Sequence, residues 1–286
     1  WSRAMAGYHA VLGMHAFGLE EMGDYARAEA EGRRGVELEA RDGWSQHAVA
    51  HVLEMQGRQA DGVNWMVTNK DGWAGDSFLQ VHNWWHLALY YLDVSDFDAA
   101  LALFDGEMGG GRSCVVLDMV DGSALLWRLH LRGVPVGDRW EKVADAWAPV
   151  AGDGNYAFND AHAIMAFIGA GRPDKVAEVL DAQAAAMNRD TDNAVATRQV
   201  GRAVAEGLIA FGAGDYAACL RHLRPVREIA PLFGGSHAQR DVLDLTMIEA
   251  AYRLGNGPLA RALAAERVET KHESPLSQLL ARRVAA

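Results

Sequence analysis

The chain has few prolines, almost no cysteine and no long apolar run. Only 7 prolines and 2 cysteines occur among 286 residues, and the 30 glycines show no collagen-like period. No apolar run approaches the roughly 18 residues that a membrane-spanning helix needs, so we expect no membrane insertion. Because 50% of the residues are hydrophobic, disordered and fibrous chains are excluded as well. These absences leave a globular protein with a sizeable core.

The first residues of the sequence are typical of a processed or trimmed chain. The sequence opens with Trp1-Ser2-Arg3, without an initiator methionine and without a signal-like apolar stretch. We therefore expect that N-terminal sequence precedes Trp1 in the natural protein.

Positive charge is also scarce. The chain has 27 Lys and Arg but 38 Asp and Glu, which gives a net charge of −11. An acidic protein repels phosphate backbones, so we expect no nucleic-acid partner. Cys114 and Cys219 lie far apart and form no CxxC pair. Two such thiols predict buried apolar side chains rather than a disulfide framework, and they favour a cytoplasmic location.

Sequence periodicity predicts an all-α protein. Segments rich in Ala, Leu, Glu, Arg and Met carry apolar residues at three- and four-residue spacing, as in Ala99, Ala100, Leu103 and Phe104. Alternating β-branched runs are lacking, and residues 114–117 come nearest to one.

Short turns followed by Ala-rich helices recur along the chain and predict a helical repeat. The interval from Gly23 to Gly57 is 34 residues, which is the tetratricopeptide repeat (TPR) period. Gly at such a turn can end one helix, and a following Asp can cap the next. We expect a single domain over 1–286, a TPR-like helical-hairpin solenoid (an α-α superhelix) of about seven helix pairs. The expected turns lie at Gly23, Gly57, Ser95, Gly137, Gly171, Gly214 and Gly255, with a poor fit at Gly137 and Gly171.

The first helix of each pair is expected to line the concave inner wall of the solenoid. Of 11 histidines, only His222 and His272 lie outside these first helices. Imidazoles are therefore expected on the wall where solenoids bind ligands. The predicted first helices are 5–21, 44–56, 76–93, 113–132, 156–169, 194–212 and 237–254.

Two HxxxH pairs lie on consecutive predicted units. His47 and His51 form one pair, and His82 and His86 form the other, so each pair occupies one helix face. Glu54 adds a carboxylate three residues after His51. Helices of neighbouring units pack about 8–10 Å apart, which lets such side chains converge on a metal, zinc or iron in particular. A metal-free polar ligand pocket and a purely structural polar core remain alternatives, and the pair at 47–51 lacks the general base of an HExxH motif.

Further polar residues are candidates for ligand binding. Asn83 lies within the second pair, and Asp160 precedes His162 on a later first helix. After Gly234-Gly235, Ser236 can cap a helix whose first turn carries His237 and Arg240, an arrangement that can hold an anion. Trp84 and Trp85 can either pack in the core or form the wall of a pocket.

Four blocks of the sequence resemble the tetratricopeptide repeat protein 38 family. The resemblance extends over nearly the whole chain and implies an all-helical repeat fold, with additional N-terminal helices in the family. The resemblance implies no particular enzymatic reaction. The blocks are residues 44–55 (WSQHAVAHVLEM), 82–90 (HNWWHLALY), 158–163 (FNDAHA) and 234–241 (GGSHAQRD).

These patterns leave two functional hypotheses. The first is a binding solenoid whose histidine-rich concave pocket takes a small polar ligand, a peptide or a partner protein, with homodimer formation kept open. The second is a metal-dependent or histidine-based enzyme centred on the HxxxH pairs, with His51, His86 and Asp160 as catalytic candidates. The expected ligand-binding residues are His47, His51, Glu54, His82, Asn83, His86, Asp160, His162, His237 and Arg240, of which His47, His51, His82 and His86 are the metal candidates.

Overall fold

The structure, a computed structural model, describes residues 5–75 and 77–285, and these residues form helices and connecting loops without a β-strand. The all-α prediction is confirmed for this part of the chain. None of the described helices is long and apolar enough to cross a membrane. The helices are α1 (Tyr8–Glu21), α2 (Tyr25–Leu38), α3 (Gly43–Met55), α4 (Gln59–Thr68), α5 (Lys70–Trp73), α6 (Gln80–Asp93), α7 (Phe97–Asp105), α8 (Val116–Leu131), α9 (Arg139–Trp147), α10 (Ala157–Gly169), α11 (Pro173–Ala186), α12 (Asp192–Ala196), α13 (Arg202–Gly212), α14 (Tyr216–Leu223), α15 (His237–Arg253), α16 (Gly257–Thr270) and α17 (Pro275–Ala285).

The predicted first helices agree with α1, α3, α6, α8, α10, α12–α13 and α15 to within four residues at either end. A π-helical turn at Thr197–Gly201 joins α12 to α13, and a 3₁₀ segment at Arg224–Phe233 precedes α15. The helix start predicted at residue 76 lies outside the described residues.

The chain divides into two compact units. Unit 1 contains the residues up to Leu103 together with Arg267–Leu279, and unit 2 contains Phe104–Glu266 and the residues from Leu280 onwards. The single-domain organisation over 1–286 stays a prediction, and each unit is described by itself below.

One hydrogen-bonding pattern ends the first helix of each predicted pair. At Gly23, the backbone N–H donates to Glu20 O (2.8 Å) and the next N–H donates to Leu19 O (2.9 Å), which closes a Schellman turn. The residue in the turn needs a positive φ, and glycine provides it without a Cβ clash; Ser95 adopts it at φ 65°. The same pattern recurs at Gly57, Ser95, Gly133, Gly171, Gly214 and Gly255.

The fourth turn corrects a prediction. It lies at Gly133, not at Gly137, because Gly133 N–H and Val134 N–H donate to the last turn of α8. Gly137 also has a positive φ, but it belongs to the loop before α9. This misplacement explains the poor fit of that unit to the repeat.

In unit 1, α3 is buried on almost all sides. Every residue from Ser45 to Glu54 is buried, because α1, α2, α4 and α6 all pack on this helix. The approach of α2 is close: a Cβ on Gly35 would lie 2.0 Å from Ser45 Oγ, and one on Gly32 would lie 2.7 Å from Val49. Side chains at these positions would push the helices apart. Small residues on α2 therefore help to enclose the histidine-bearing helix.

A segment from near the end of the sequence completes unit 1. Asp93, at the end of α6, accepts hydrogen bonds from Ser274 Oγ (2.7 Å) and from Leu276 N–H (3.1 Å). Burial raises the pKa of Asp93, although these hydrogen bonds oppose the rise. The contacts tie residues 274–276 to α6 across a sequence separation of about 180 residues.

In unit 2, α8 packs against both α10 and α15. Trp127 Nε1 donates to Thr246 Oγ1 (3.0 Å), and Arg128 Nη2 donates to Ala238 O (2.8 Å). A regular solenoid has contacts only between neighbouring repeats, yet two predicted units lie between α8 and α15. The contact of α8 with α15 therefore departs from a regular solenoid within unit 2.

The two cysteines differ in environment. Cys219 is buried in α14, and burial raises the pKa of its thiol to about 12. Cys114 is exposed, so the prediction of burial was wrong there, because Cys114 lies in the loop before α8 rather than on a packed helix face.

Candidate functional site

The two HxxxH pairs converge in unit 1. Each of His47, His51, His82 and His86 offers a ring nitrogen, and these four atoms all lie within 4.8 Å of one another. We call this group the four-histidine cluster. Two rings come from α3 and two from the adjacent α6, where i, i+4 spacing places each pair on one helix face.

The four rings are in direct contact. Ring centroids are 4.4 Å apart for His47 and His51, and 4.9 Å apart for His82 and His86. Across the helix pair, the centroids of His47 and His82 are 4.9 Å apart, and those of His51 and His86 are 4.5 Å apart. The cluster is therefore one compact group and not two separate pairs.

The cluster is buried. His51 and His86 have no exposed surface, and His47 and His82 are 4% exposed. Neither ring nitrogen of His47 has a hydrogen-bond partner among the described residues. Burial, together with the neighbouring imidazoles, holds the pKa of His47 well below its usual value, so that this ring is neutral near pH 7. The adjacent Asn83 is also fully buried, and its amide atoms have no partner in the described part of the chain.

Buried carboxylates lie beside the second histidine of each pair. Glu54 Oε2 accepts a hydrogen bond from His86 Nδ1 at 3.0 Å, and Glu20 Oε2 lies 3.6 Å from His51 Nδ1. On the far side of Glu54, Lys271 Nζ lies 3.8 Å from Oε1. Glu20, Glu21 and His51 also bring one ligand atom each within 4.8 Å of the others.

Aromatic side chains enclose the first histidine of each pair. Phe17 of α1 stacks on His47, with ring planes 22° apart and centroids at 5.4 Å. Trp85 stacks on His82, with planes 16° apart and centroids at 5.1 Å. Trp84 packs on Trp73 instead, away from this stack. The two roles considered for these tryptophans are therefore divided between them: Trp85 forms part of the cluster wall and Trp84 packs in the core.

Asp160 and His162 belong to unit 2 and have different surroundings. Asp160 is mostly buried near Gln183, and its Oδ2 has no partner among the described residues. Burial raises the pKa of Asp160 to about 6. Tyr156, not Asp160, is the N-cap of α10, so Asp160 lies within the first turn of the helix.

His162 makes a local contact. Its Nδ1 donates to the carbonyl of Phe158 one turn earlier (2.8 Å), and its ring packs on Phe158 with centroids 4.4 Å apart. Burial lowers the pKa of His162 to about 4, since desolvation disfavours the cation.

The start of α15 has the predicted cap. Ser236 and Gln239 form a capping box with reciprocal hydrogen bonds. Arg240 turns back and donates to the carbonyl of Gly235. Asp244 accepts a hydrogen bond from Arg227 Nε (2.6 Å). His237 is half-buried at the first helical position, next to the cap.

Sequence reasoning missed Glu20 and Lys271. Glu20 and Glu21 are adjacent at the end of α1, and nothing in the sequence distinguishes the fully buried Glu20 from its half-buried neighbour. Lys271 lies more than 200 residues from Glu54, so only tertiary packing reveals the contact. Phe17 was likewise an ordinary apolar helix position.

No protein-family model matches the chain, and no solved structure matches it significantly. The resemblance to the tetratricopeptide repeat protein 38 family therefore stays a prediction, and the functional argument depends on the residues of the site.

Proposed function

We propose that this protein binds one divalent transition-metal ion, zinc in particular, through His47, His51, His82 and His86. The observation that carries the proposal is the convergence of four buried imidazole nitrogens within 4.8 Å. Tetrahedral zinc with Zn–N bonds near 2.0–2.1 Å needs donor nitrogens about 3.4 Å apart. Small side-chain rotations bring the cluster to that separation.

A purely structural polar core explains the cluster less well. A buried polar group without a hydrogen bond costs about 1–3 kcal/mol, and both ring nitrogens of His47 are in this position within the described structure. A metal ion lowers the penalty, because it accepts the lone pair of one nitrogen in each ring. Apolar residues of similar size would pack at these positions without any penalty, so the retention of four imidazoles favours a ligand.

The donor set favours zinc over iron. All four proposed ligands are neutral nitrogens, which suit zinc, whereas non-haem iron sites typically include a carboxylate ligand. The hydrogen bond from His86 directs the carboxylate of Glu54 toward an imidazole N–H. Four protein ligands also leave no open position on a tetrahedral ion, which is typical of structural sites and not of catalytic ones.

The proposal includes the TPR-like solenoid as the framework that holds the site. Recurrent Schellman turns and paired helices support a repeat of this type. A concave groove for a peptide or a polar ligand is the second candidate function. The contact of Trp127 with Thr246 within unit 2 weighs against it, because it joins helices of predicted repeats that are not neighbours.

The test is metal analysis of the untagged, full-length chain. After incubation with zinc and removal of the excess, we expect about one zinc per chain by mass spectrometry. His47→Ala/His82→Ala is expected to abolish this content. Cobalt(II) serves as a spectroscopic probe, because tetrahedral coordination gives strong visible absorption that the double variant should lack.

A matched control removes two other histidines. His222→Ala/His272→Ala changes histidines outside the cluster and should keep the full zinc content. Since alanine at buried positions can unfold unit 1, His47→Gln, which is closer in size, is measured in parallel with circular dichroism. Wild-type protein without stoichiometric metal, or a folded cluster variant with unchanged metal, would overturn the proposal.

A further inference from the structure

The contacts of the four histidines include two kinds of side chain, carboxylates and aromatic rings. The second histidine of each pair has a carboxylate beside Nδ1: Glu54 for His86, and Glu20 for His51. Both carboxylates are buried, with Glu20 at 0% and Glu54 at 5% exposure. The first histidine of each pair stacks on an aromatic ring, Phe17 for His47 and Trp85 for His82, and the same two rings contact His51 and His86 edge-on.

The carboxylates come from helices other than those of the histidines they contact. Glu54 lies on α3 but binds His86 of α6, and Glu20 lies on α1 but faces His51 of α3. Each contact therefore joins two neighbouring helices at the cluster. The resulting chain of side chains runs from His86 through Glu54 to Lys271, whose Nζ is 3.8 Å from the second carboxylate oxygen.

A carboxylate beside Nδ1 determines the tautomer of an imidazole. An ionised carboxylate only accepts hydrogen bonds, so the ring proton lies on Nδ1 and the lone pair on Nε2. Metal-binding histidines commonly use such a partner, which fixes the ring orientation and raises ligand basicity. A stacked aromatic ring restrains the plane of an imidazole but does not select its tautomer.

Resting on the proposed metal site, we infer that Glu20 and Glu54 are positioning residues that impose Nε2 coordination at His51 and His86. Glu54 already has hydrogen-bond geometry. The 3.6 Å separation of Glu20 and His51 exceeds a hydrogen bond, so this contact must shorten by about 0.6 Å when the metal binds. Neither ring nitrogen of His47, which stacks on Phe17, has a hydrogen-bond partner among the described residues.

The experiment combines metal affinity with histidine NMR. In protein labelled with ¹⁵N-histidine, the chemical shifts of the ring nitrogens identify which nitrogen binds zinc. We expect Nε2 coordination at His51 and His86 in the wild type. Glu20→Gln and Glu54→Gln are each expected to lower zinc affinity about 10–100-fold, measured by competition with a chelator. Each variant should also disturb the tautomer of its own histidine, which a purely structural carboxylate would not control.

The control uses a carboxylate–histidine pair outside the cluster. Glu31 contacts the exposed His15 at 2.5 Å, so Glu31→Gln alters a similar pair and should leave zinc affinity unchanged. Zinc binding through Nδ1 at His51 or His86 would overturn the inference, as would variants with wild-type affinity. These outcomes leave the proposed four-histidine metal site intact. A wild type that binds no zinc would contradict both the metal site and the positioning role of the carboxylates.

Discussion

Both units contain buried histidines, but the contacts of these side chains differ. In unit 1, the rings of His47 and His51 contact each other and the two rings of α6. In unit 2, His162 donates to the carbonyl of Phe158 on its own helix and packs on the ring of that residue. A backbone carbonyl one turn earlier provides His162 with a local hydrogen bond. The four-histidine cluster instead concentrates nitrogen donors from two helices.

The comparison indicates that burial alone does not make a histidine functional. His162 and His51 are both almost completely inaccessible, at 1% and 0% exposure. Only His51 lies where nitrogens from a second helix can meet the same ion. What separates the two environments is the convergence of side chains from different helices.

The largest expected effect of this difference is metal-dependent protection of unit 1. Zinc at 1,000 times its dissociation constant should stabilise the bound state by about 4.1 kcal/mol. Hydrogen exchange in α3 and α6 should then slow by up to about 1,000-fold, since 1.4 kcal/mol corresponds to a factor of ten. Helix α10, which carries His162, should show little change.

Equal responses of the two units to zinc would contradict the proposed difference between their histidines. Equal protection of α10 would mean that zinc acts on the whole chain and not at the cluster. Absence of protection in α3 and α6 of a zinc-loaded chain would mean that the ion binds elsewhere. His47→Ala/His82→Ala is the control that should lose the protection of both helices.

The next largest effect is the acid sensitivity that His162 confers. Its pKa falls from 6.5 in the unfolded chain to about 4 in the folded protein, so the unfolded chain binds the proton more readily. The stabilising contribution of the neutral ring is present above pH 6.5 and is lost as the pH falls toward 4, by about 3 kcal/mol. His162→Gln should flatten this part of the stability profile, measured by urea unfolding between pH 7 and pH 4.

The matched control for this measurement is an exposed histidine. His15→Gln changes a surface ring, whose side chain is 53% exposed, and should keep the acid sensitivity of the wild type. A His162→Gln variant with the same pH dependence as wild type would show that burial of this imidazole does not govern acid stability.

Asp160, two residues earlier, should give a smaller effect of opposite sign. Burial raises its pKa from 3.8 to about 6, so the folded state holds the proton more tightly than the unfolded chain. Its contribution therefore becomes less favourable as the pH rises from 4 to 6. At pH 7, Asp160→Asn should stabilise the protein by up to about 3 kcal/mol, less the contribution of the hydrogen bond with Gln183, since the charged form is then absent.

Urea unfolding at pH 7 and at pH 4 tests this prediction. The gain from Asp160→Asn should shrink at pH 4, where the wild-type carboxyl is protonated as well. Asp174→Asn, on the exposed start of α11, is the control and should change stability little. A destabilised Asp160→Asn at pH 7 would indicate that the carboxylate has a stabilising partner, contrary to its orphaned Oδ2.

Part of the candidate site was accessible to sequence reasoning. The two HxxxH pairs could be identified because i, i+4 spacing is a local property of a helix, and the meeting of His47 with His82 follows from the packing of α3 on α6. The partner of His51 could not be identified, because Glu20 lies on a third helix. Glu54 was recognised as a neighbour of His51, yet its hydrogen bond goes to His86.

Prediction of the fold from sequence was likewise restricted to features with a local signal. Turn residues and helix periodicity located the first helix of each predicted pair to within four residues, because both signals are encoded in short windows of sequence. The fourth turn was misplaced by four residues, since Gly133 and Gly137 are both able to adopt a positive φ. The contact of Trp127 with Thr246, across 119 residues, carries no local signal.

By itself, the sequence determined the helices, most of the turns between them and the helix face on which each histidine pair lies. These properties depend on backbone hydrogen bonds and side-chain spacing within a few turns of helix. Only the tertiary structure decided which carboxylate lies beside which imidazole. It also decided that four rings contact one another in unit 1, whereas His162 in unit 2 hydrogen-bonds to its own helix. Such pairings arise from the packing of helices that are distant along the chain, where a rotation of one helix changes every neighbour of its side chains.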